Sequence, residues 1–258
     1  MPEQNIRLDA IRPETASLFS VLAEHPQLSR FTLIGGTALA LIIGHRLSND
    51  LDFAFYGDQL PTGQIDSLVS ELKALGVPIQ LITDANAISS FRIATGKRLL
   101  NYARDYIVGD TKLTFFAMGS KQTPIFVDYL KQARFLQLEN VSFSILGLDG
   151  LKATKAVVIG QRTRSRDLYD LLVLARDHSY SVELILQDAQ QYGTNDDPEY
   201  YKAVLRGDIP LDQDDEGLEA VGVQVSLDDI YAYFDERLSQ LEIAEAERIA
   251  RIDSPSAT

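Results

Sequence analysis

The sequence predicts an α+β protein in which a small mixed sheet with packed helices precedes a helical lobe. Helical and strand patterns alternate over the first part of the chain, strand patterns dominate from residue 77 to about 145, and helical patterns follow from residue 148. Because sheet faces and helix stripes must be buried against other elements, this order favours helices packed on one sheet. We therefore predict two domains, residues 1–147 and residues 148–258.

The spacing of apolar residues predicts the individual elements of the first domain. Apolar residues at intervals of three or four predict helices, and alternation or short apolar runs bounded by Gly and Pro predict strands. The predicted helices cover residues 10–22, a short segment after Gly36, and residues 62–75. The predicted strands are one beginning at Phe31, one carrying Asp50 and Asp52, and residues 79–82, 89–95, 100–108, 112–118 and 141–146.

The second domain shows helical spacing. Its predicted helices cover residues 148–159, 166–176, 182–191, 197–205 and 226–252. Residues 208–219 contain the acidic run Asp-Gln-Asp-Asp-Glu at 212–216. Charged side chains are almost never fully buried unless paired, so we predict an exposed loop there.

Composition excludes several classes of protein. The 258 residues include no cysteine, which excludes disulfides and thiolate metal sites. No apolar run approaches the length of a membrane-spanning helix. The first residues lack the charged and apolar regions of a signal peptide. We expect a cytoplasmic protein that does not enter the membrane.

The charge is distributed unevenly along the chain. The net charge is −13, yet residues 1–176 carry 19 Lys and Arg against 17 Asp and Glu, while residues 177–258 carry 5 against 20. The eight cations of the basic segment are Arg92, Lys97, Arg98, Arg104, Lys112, Lys121, Lys131 and Arg134. This basic segment is either a set of solvated sheet faces or a surface for RNA phosphates.

The stretch from Phe31 to Phe53 carries the clearest chemical signal. Residues Gly35, Gly36 and Thr37 lead into a predicted helix, whose unpaired N–H groups and dipole attract phosphate. Asp50 and Asp52 are separated by a single residue, so on a strand their carboxylates project from the same face. Such a pair is a typical ligand set for Mg²⁺, which it shares with substrate phosphates. The stretch therefore predicts a site for a nucleoside triphosphate and Mg²⁺.

Two separated blocks also carry a resemblance to a known family. Gly-Gly-Thr-Ala-Leu-Ala-Leu at 35–41 precedes Gly-His-Arg-Leu-Ser at 44–48 and Asp-Leu-Asp-Phe at 50–53. Downstream are Leu-Lys-Ala-Thr-Lys-Ala at 151–156 and Arg-Asp-Leu-Tyr-Asp-Leu-Leu at 166–172. In this order the blocks resemble the AbiEii/AbiGii toxin family. The resemblance implies a nucleotidyltransferase with a DNA polymerase β-like fold.

The first block supplies the candidate nucleotide-binding residues. Gly36 and Thr37 would donate backbone and hydroxyl hydrogen bonds to the terminal phosphates, next to Gly35. Ser48 either adds a hydroxyl contact or serves as a turn residue before the acidic pair. Arg46 either reaches phosphate or forms a salt bridge with the acidic pair.

The second block supplies two further candidates. Lys155 either points into a cleft between the two domains, where it would neutralise the triphosphate, or lies on a solvated helix face, to which we assign Lys152. The resemblance identifies Lys155 as the family lysine. It also favours Asp167 as a functional acid. Asp170 lies three residues later on the same helix face, where it would act with Asp167, cap the helix or pair with Arg166.

One position departs from the pattern of polymerase β-like enzymes. Many of them place a third carboxylate on a later strand, and here the corresponding strand has Thr114. Asp128 would be one substitute. Otherwise two acids suffice, Asp167 completes the set, or the chain binds nucleotide without turnover.

Three functions remain open from the sequence. The resemblance implies a toxin that transfers a nucleoside monophosphate to RNA, such as a tRNA end, and that is restrained by a cognate antitoxin. The acidic C-terminal third would instead suit a cationic small acceptor, such as an aminocyclitol antibiotic. Thr114 would suit a nucleotide-binding module without catalysis.

Overall fold

The chain forms two compact units. The computed structural model describes residues 6–120 and 122–253, so that Lys121 of the basic segment lies outside the described residues. The units are Met1–Leu151 and Lys152–Thr258, and each is described by itself. The boundary predicted after residue 147 stays a prediction.

The first unit is built on one mixed sheet. Within the described residues the sheet has seven strands: β1 Phe31–Ile34, β2 Leu51–Phe55, β3 Ile79–Leu81, β4 Ala103–Val108, β5 Thr111–Ala117, β6 Phe135–Leu136 and β7 Ser144–Leu146. Their order across the sheet is β3-β4-β5-β2-β1-β7-β6. The pairs β2–β5 and β1–β7 are parallel, and the others are antiparallel. The predicted mixed sheet is confirmed.

Five helices of the first unit accompany this sheet in the described chain. They are α1 Pro13–Ala23, α2 Gly35–Ile43, α3 Thr62–Ala74, α4 Ala85–Thr95 and α5 Pro124–Gln132. Helix α1 begins three residues later than predicted because Pro13, with its fixed φ and missing N–H, occupies the first helical position. Helix α5 was not predicted, although Thr123 caps its N-terminus by accepting a hydrogen bond from the Phe126 amide.

The strand predicted at residues 89–95 is wrong, because this segment is the second half of α4. The Asp84 side chain accepts a hydrogen bond from the Ala87 amide, and Gly96 ends the helix with a φ of 71°. These capping interactions favour a helix that the local apolar pattern does not indicate. No residue of α4 is buried.

Aromatic packing holds the central strands together. Phe31, Phe53, Phe115 and Phe143 are all at most 1% exposed. The Phe53 ring stacks on that of Phe115 with centroids 5.7 Å apart and meets the edge of Phe143 at 4.9 Å. Burying such rings strongly favours folding, so β2 and the residues it carries are held in one position.

The second unit is helical, as predicted. Helix α6, Leu148–Val158, leads into it, and α7 Ser165–Asp177, α8 Val182–Tyr192, α9 Pro198–Arg206 and α10 Leu227–Asp253 follow. Tyr201, Phe234 and Leu238 are fully buried in its core. In the part of the chain that the structure describes, no helix combines the length and the apolar composition needed to cross a membrane.

Candidate functional site

Strand pairing places Asp52 beside the glycine turn. In the antiparallel β1–β2 pair, Asp52 lies opposite Ile34, the residue immediately before Gly35. A Cβ atom added to Gly35 would lie 2.8 Å from Asp52 Oδ2, and Gly35 has a φ of +80°. The positive φ favours glycine at position 35, and the short distance shows how closely the Asp52 carboxylate approaches it. The carboxylate of Asp52 therefore lies against the turn that opens α2.

Asp50 lies just before β2, which begins at Leu51. The prediction that one strand carries both carboxylates is therefore wrong for Asp50. The side chains of Asp50 and Asp52 are both half-buried. Because Asp50 is outside the strand, the alternation of β2 does not set its direction, and its position depends on the loop before the strand.

Thr37 of α2 and Ser48 of this loop are both buried and contact each other. They are 1% and 6% exposed, and their hydroxyl oxygens are 2.7 Å apart. The Thr37 hydroxyl also donates to the backbone carbonyl of Asp50. Since a hydroxyl has one proton, Thr37 donates within the protein, and its remaining means of contacting a phosphate is the backbone N–H.

A buried guanidinium lies at the start of α2. Arg46 is 7% exposed, and its Nη1 donates to the Leu47 carbonyl at 3.0 Å. A Cβ atom added to Gly36 would lie 2.6 Å from Arg46 Nη2. A cation at a helix N-terminus adds to the positive end of the helix dipole, so this corner strongly favours anions. The arrangement suits a phosphate next to the Asp52 carboxylate.

We expect Gly36→Ala to weaken triphosphate binding by about 10-fold or more, because the new methyl group displaces a guanidinium that would contact phosphate. Isothermal titration with a nucleoside triphosphate measures the change. Gly63→Ala is the matched control, since a Cβ atom at Gly63 on α3 meets nothing within 4 Å. Unchanged affinity in Gly36→Ala would contradict a phosphate site at this corner.

A third acid, which sequence reasoning missed, lies in the same row of the sheet. Asp52 pairs with Thr114 of β5, and Thr114 pairs with Asp105 of β4. The Thr114 hydroxyl donates to Asp105 Oδ1 at 3.0 Å. Strands are about 4.8 Å apart, so the Asp105 backbone lies roughly 10 Å from that of Asp52 on the same face.

The sequence contains a signal for this row. Gly109 and Asp110 form a two-residue turn between β4 and β5, and such a turn pairs residue 108 with 111 and hence 105 with 114.

Asp128, the substitute considered from the sequence, is 67% exposed on α5 and pairs with Lys131 at 3.3 Å. Asp105 is therefore better placed than Asp128 to serve the site.

The second unit contains a buried charge cluster. Lys155 of α6 is 3% exposed, and its Nζ lies 2.7 Å from Asp167 Oδ1 and 2.5 Å from Asp170 Oδ2. Both carboxylates belong to α7 and are at most 1% exposed. Arg162 Nε donates to Asp167 Oδ2 at 2.9 Å. This buried cluster joins the candidate lysine and both candidate acids of the second block.

The pairings of α7 correct two sequence-based expectations. Asp170 pairs with Lys155, whereas Arg166 pairs with Glu216 at 3.7 Å.

The acidic run at 212–216 lies in a loop, as predicted, but it is not simply solvated. Asp215 accepts hydrogen bonds from the Ser165 amide and hydroxyl at 3.1 and 2.8 Å. The loop thus caps the N-terminus of α7, whose dipole favours carboxylates.

The buried charge cluster predicts a pH dependence. Burial raises the pKa of Asp167, but the charges of Lys155 and Arg162 outweigh it and lower the pKa to about 2. An aspartate in the unfolded chain has a pKa of about 3.9. The ionised Asp167 therefore contributes its full stabilisation of the folded state above that pH, and this contribution is lost as the pH falls towards 2. We expect the free energy of unfolding to fall over this range, and less steeply in Asp167→Asn. Urea unfolding at several pH values measures both, and equal slopes would contradict the cluster's role.

Several cations of the basic segment are engaged within the first unit. Arg104 contacts Asp66 at 2.5 Å, and Lys112 lies 3.8 Å from Asp105. Lys97 Nζ lies 5.6 Å from the centre of the Tyr102 ring, yet Lys97 and its neighbour Arg98 are both exposed. These two residues are adjacent in the chain and exposed, so an RNA interface on the basic segment can be tested with them.

Comparison with known proteins identifies similar chains. A family model described as "Nucleotidyl transferase AbiEii toxin, Type IV TA system" matches residues 16–249. An uncharacterized protein of Aquifex aeolicus (strain VF5) is 28% identical over 159 residues, which cover 59% of this chain and 61% of that protein. The matched region thus spans about three fifths of that relative's length.

Two solved structures are also similar. JHP933 from Helicobacter pylori is 18% identical, with a TM-score of 0.46 and coverage of 94% of this chain and 100% of that one. The nucleotidyltransferase toxin MenT4 from Mycobacterium tuberculosis H37Rv is 17% identical, with a TM-score of 0.49 and coverage of 88% and 84%.

Proposed function

The chain belongs to the AbiEii nucleotidyltransferase toxin family, and from this premise we propose that it transfers a nucleoside monophosphate from a nucleoside triphosphate to RNA. The observation that carries the proposal is the corner formed by Asp52, the Gly35–Gly36 turn and the buried Arg46 at the start of α2. This corner combines a carboxylate with two sources of positive potential. A metal–triphosphate substrate needs both.

In the proposed reaction, an acceptor hydroxyl attacks the α-phosphorus of the triphosphate. The new bond joins the acceptor oxygen to phosphorus, the α–β phosphoanhydride bond breaks, and pyrophosphate leaves with that electron pair. The hydroxyl proton passes to water or to a carboxylate. Positioning and charge stabilisation supply most of the catalysis in such reactions.

Mg²⁺ is the implied cofactor, and the residues present fit it. Asp50 and Asp52 would supply two hard oxygen ligands, and among the described residues no group of three or more His, Cys, Asp and Glu able to hold a metal occurs. Mg²⁺ commonly takes one or two carboxylates and completes its shell with water and substrate phosphates. When bound, it would neutralise phosphate charge and acidify the acceptor hydroxyl.

The other residues of the first unit would bind the triphosphate. The backbone N–H groups of Gly36 and Thr37 and the guanidinium of Arg46 would hold the terminal phosphates, beside Gly35. Ser48 would act through its hydrogen bond to Thr37. The burial and contacts of these residues near the N-terminus of α2 support these roles.

We assign Lys155 and Asp167 to the same function as the contribution of the second unit. Holding buried charges is costly, and perturbed, paired groups are concentrated at functional sites. Arg162, whose side chain is 42% exposed, links the buried Asp167 to the surface. This assignment also rests on the match between residues 151–172 and the family's second block.

RNA is the acceptor that the charge distribution favours. The exposed Lys97 and Arg98 would contact phosphates, while the acidic residues of the C-terminal third would face away from RNA or meet a basic partner. The type IV toxin–antitoxin description of the family supports a cognate antitoxin as that partner. Acids that already pair with Arg164 and Arg166 contribute less to a site for a cationic antibiotic.

Incubation with each labelled nucleoside triphosphate, Mg²⁺ and total RNA tests the proposal. Labelled RNA on a denaturing gel is the expected result, and a parallel reaction contains an aminocyclitol antibiotic instead of RNA. Label on the antibiotic alone would overturn the RNA acceptor. Triphosphate binding without pyrophosphate release in either reaction would identify a non-catalytic module, the function that Thr114 favours.

We expect Lys97→Glu/Arg98→Glu to weaken RNA binding about 10-fold or more without changing triphosphate affinity, because two phosphate contacts become repulsive. The salt dependence of binding should also become shallower. Arg248→Glu/Arg251→Glu is the matched control, since both arginines are exposed near the end of α10. Equal losses in the two variants would indicate a nonspecific charge effect.

A further inference from the structure

We infer that Thr15 of α1 is a positioning residue for Asp50, the proposed metal ligand that lies outside the sheet. This inference rests on the proposed function of Asp50. Thr15 lies one residue before the range that the family model matches, 16–249. Thr15 is 1% exposed, and it contacts a backbone carbonyl that is 34 residues later in the chain.

The first contact fixes the peptide group before Asp50. The Thr15 hydroxyl donates to the Asn49 carbonyl at 2.9 Å. Its oxygen also lies 3.1 Å from that of Thr111, which is equally buried. Because the single proton of Thr15 is directed to Asn49, Thr111 donates to Thr15. Two hydroxyls in series therefore end on the Asn49 carbonyl.

A second pair of hydroxyls fixes the next peptide group. The single proton of Thr37 is donated to the Asp50 carbonyl, so in the 2.7 Å contact with Ser48 it is Ser48 that donates. All four side chains of the two pairs are buried. In buried surroundings such chained hydrogen bonds strengthen one another.

The two carbonyls lie on either side of the Asp50 Cα atom. Rotation about φ moves the Asn49–Asp50 peptide plane relative to that atom, and rotation about ψ moves the Asp50–Leu51 plane. Hydrogen bonds to both carbonyls therefore restrict both angles. Asp52 needs no such help, because β1 and β5 pair with β2 on its two sides.

The residues before α1 support the same loop. Ser48 forms a parallel bridge with Ile11, in which the Ser48 amide donates to Ala10 at 3.1 Å and the Arg12 amide donates to Ser48 at 3.3 Å. This backbone contact holds the loop up to Ser48. The hydrogen bond from the Thr15 hydroxyl holds the residue immediately before Asp50 as well.

Thr15→Val tests the inference because it keeps the shape of the side chain and removes its hydroxyl. We expect Mn²⁺ affinity, measured by electron paramagnetic resonance, and kcat each to fall about 10–100-fold, as for other residues that orient metal ligands, with KM for RNA unchanged. Thr15→Ser should restore both. Thr163→Val, at another buried threonine in the second unit, is the control and should behave as wild type.

Amide hydrogen exchange of the metal-free protein gives a readout that is independent of activity. We expect exchange at residues 49–51 to accelerate in Thr15→Val and to return towards wild type in Thr15→Ser. Unchanged exchange in Thr15→Val would overturn the positioning role. Unchanged Mn²⁺ affinity in Thr15→Val, when the wild-type protein binds Mn²⁺, would overturn it as well. A wild-type protein that binds no Mn²⁺ while Thr15→Val still accelerates exchange would instead overturn the proposed function of Asp50.

Discussion

Replacing Asp50 by asparagine is expected to lower nucleotidyl transfer about 10³-fold or more, equivalent to roughly 4 kcal/mol of activation free energy. The substitution keeps the size of the side chain but removes one of two negative charges from the proposed Mg²⁺ site. Metal-dependent triphosphate binding should weaken at the same time. The fold should persist, because Asp50 is half-buried and lies outside β2.

Single-turnover transfer and thermal melting measure the two parts of this prediction. Asp110→Asn is the matched control, since Asp110 is exposed in the turn between β4 and β5. The control should retain wild-type activity and melting. Full transfer activity in Asp50→Asn, with wild-type melting, would exclude a metal site built on Asp50 and Asp52.

Replacing Lys155 by alanine is expected to lower the free energy of unfolding of the second unit by about 3–5 kcal/mol. Lys155 is 3% exposed and contacts both Asp167 and Asp170. Its removal leaves two buried carboxylates without their shared cation, and their mutual repulsion adds to the cost of desolvation. The expected defect is therefore structural as well as catalytic.

Lys152→Ala is the control for this variant. Lys152 lies three residues earlier on α6, is half-buried, and has its Nζ 5.8 Å from the centre of the Tyr180 ring. Such a cation–π contact contributes about 0.5–1 kcal/mol at an accessible position. Urea unfolding followed by circular dichroism compares the two variants. Equal losses of stability would contradict a special role for the Lys155 ion pairs.

Local patterning predicted much of the chain because its signals act over a few residues. Helical spacing gave the elements of the second unit to within about two residues. The helix of residues 85–95 was missed because its capping residues, Asp84 and Gly96, outweigh an apolar pattern that suggests a strand. The glycine turn, the acidic pair and the second block were sufficient to identify the family.

The contacts of the candidate residues were not predictable in the same way. Asp105 reaches the row of Asp52 through Thr114 only because β5 lies between β4 and β2 in the sheet. Lys155 was expected to face a cleft, yet its immediate partners are two carboxylates of α7. Both facts depend on which elements become neighbours, and spacing within one element carries no information about that.

The sequence by itself determined the α+β class, the order of the helices in the second unit, the family and the residue types available for phosphate and metal chemistry. These features follow from periodicity, capping and composition over short stretches. Tertiary structure alone decided that Arg46 is buried against Gly36 and that Thr15 and Thr37 hold the carbonyls on either side of Asp50. The physical reason is that hydrogen bonds between distant residues form only where packing brings a donor within about 3 Å of its acceptor.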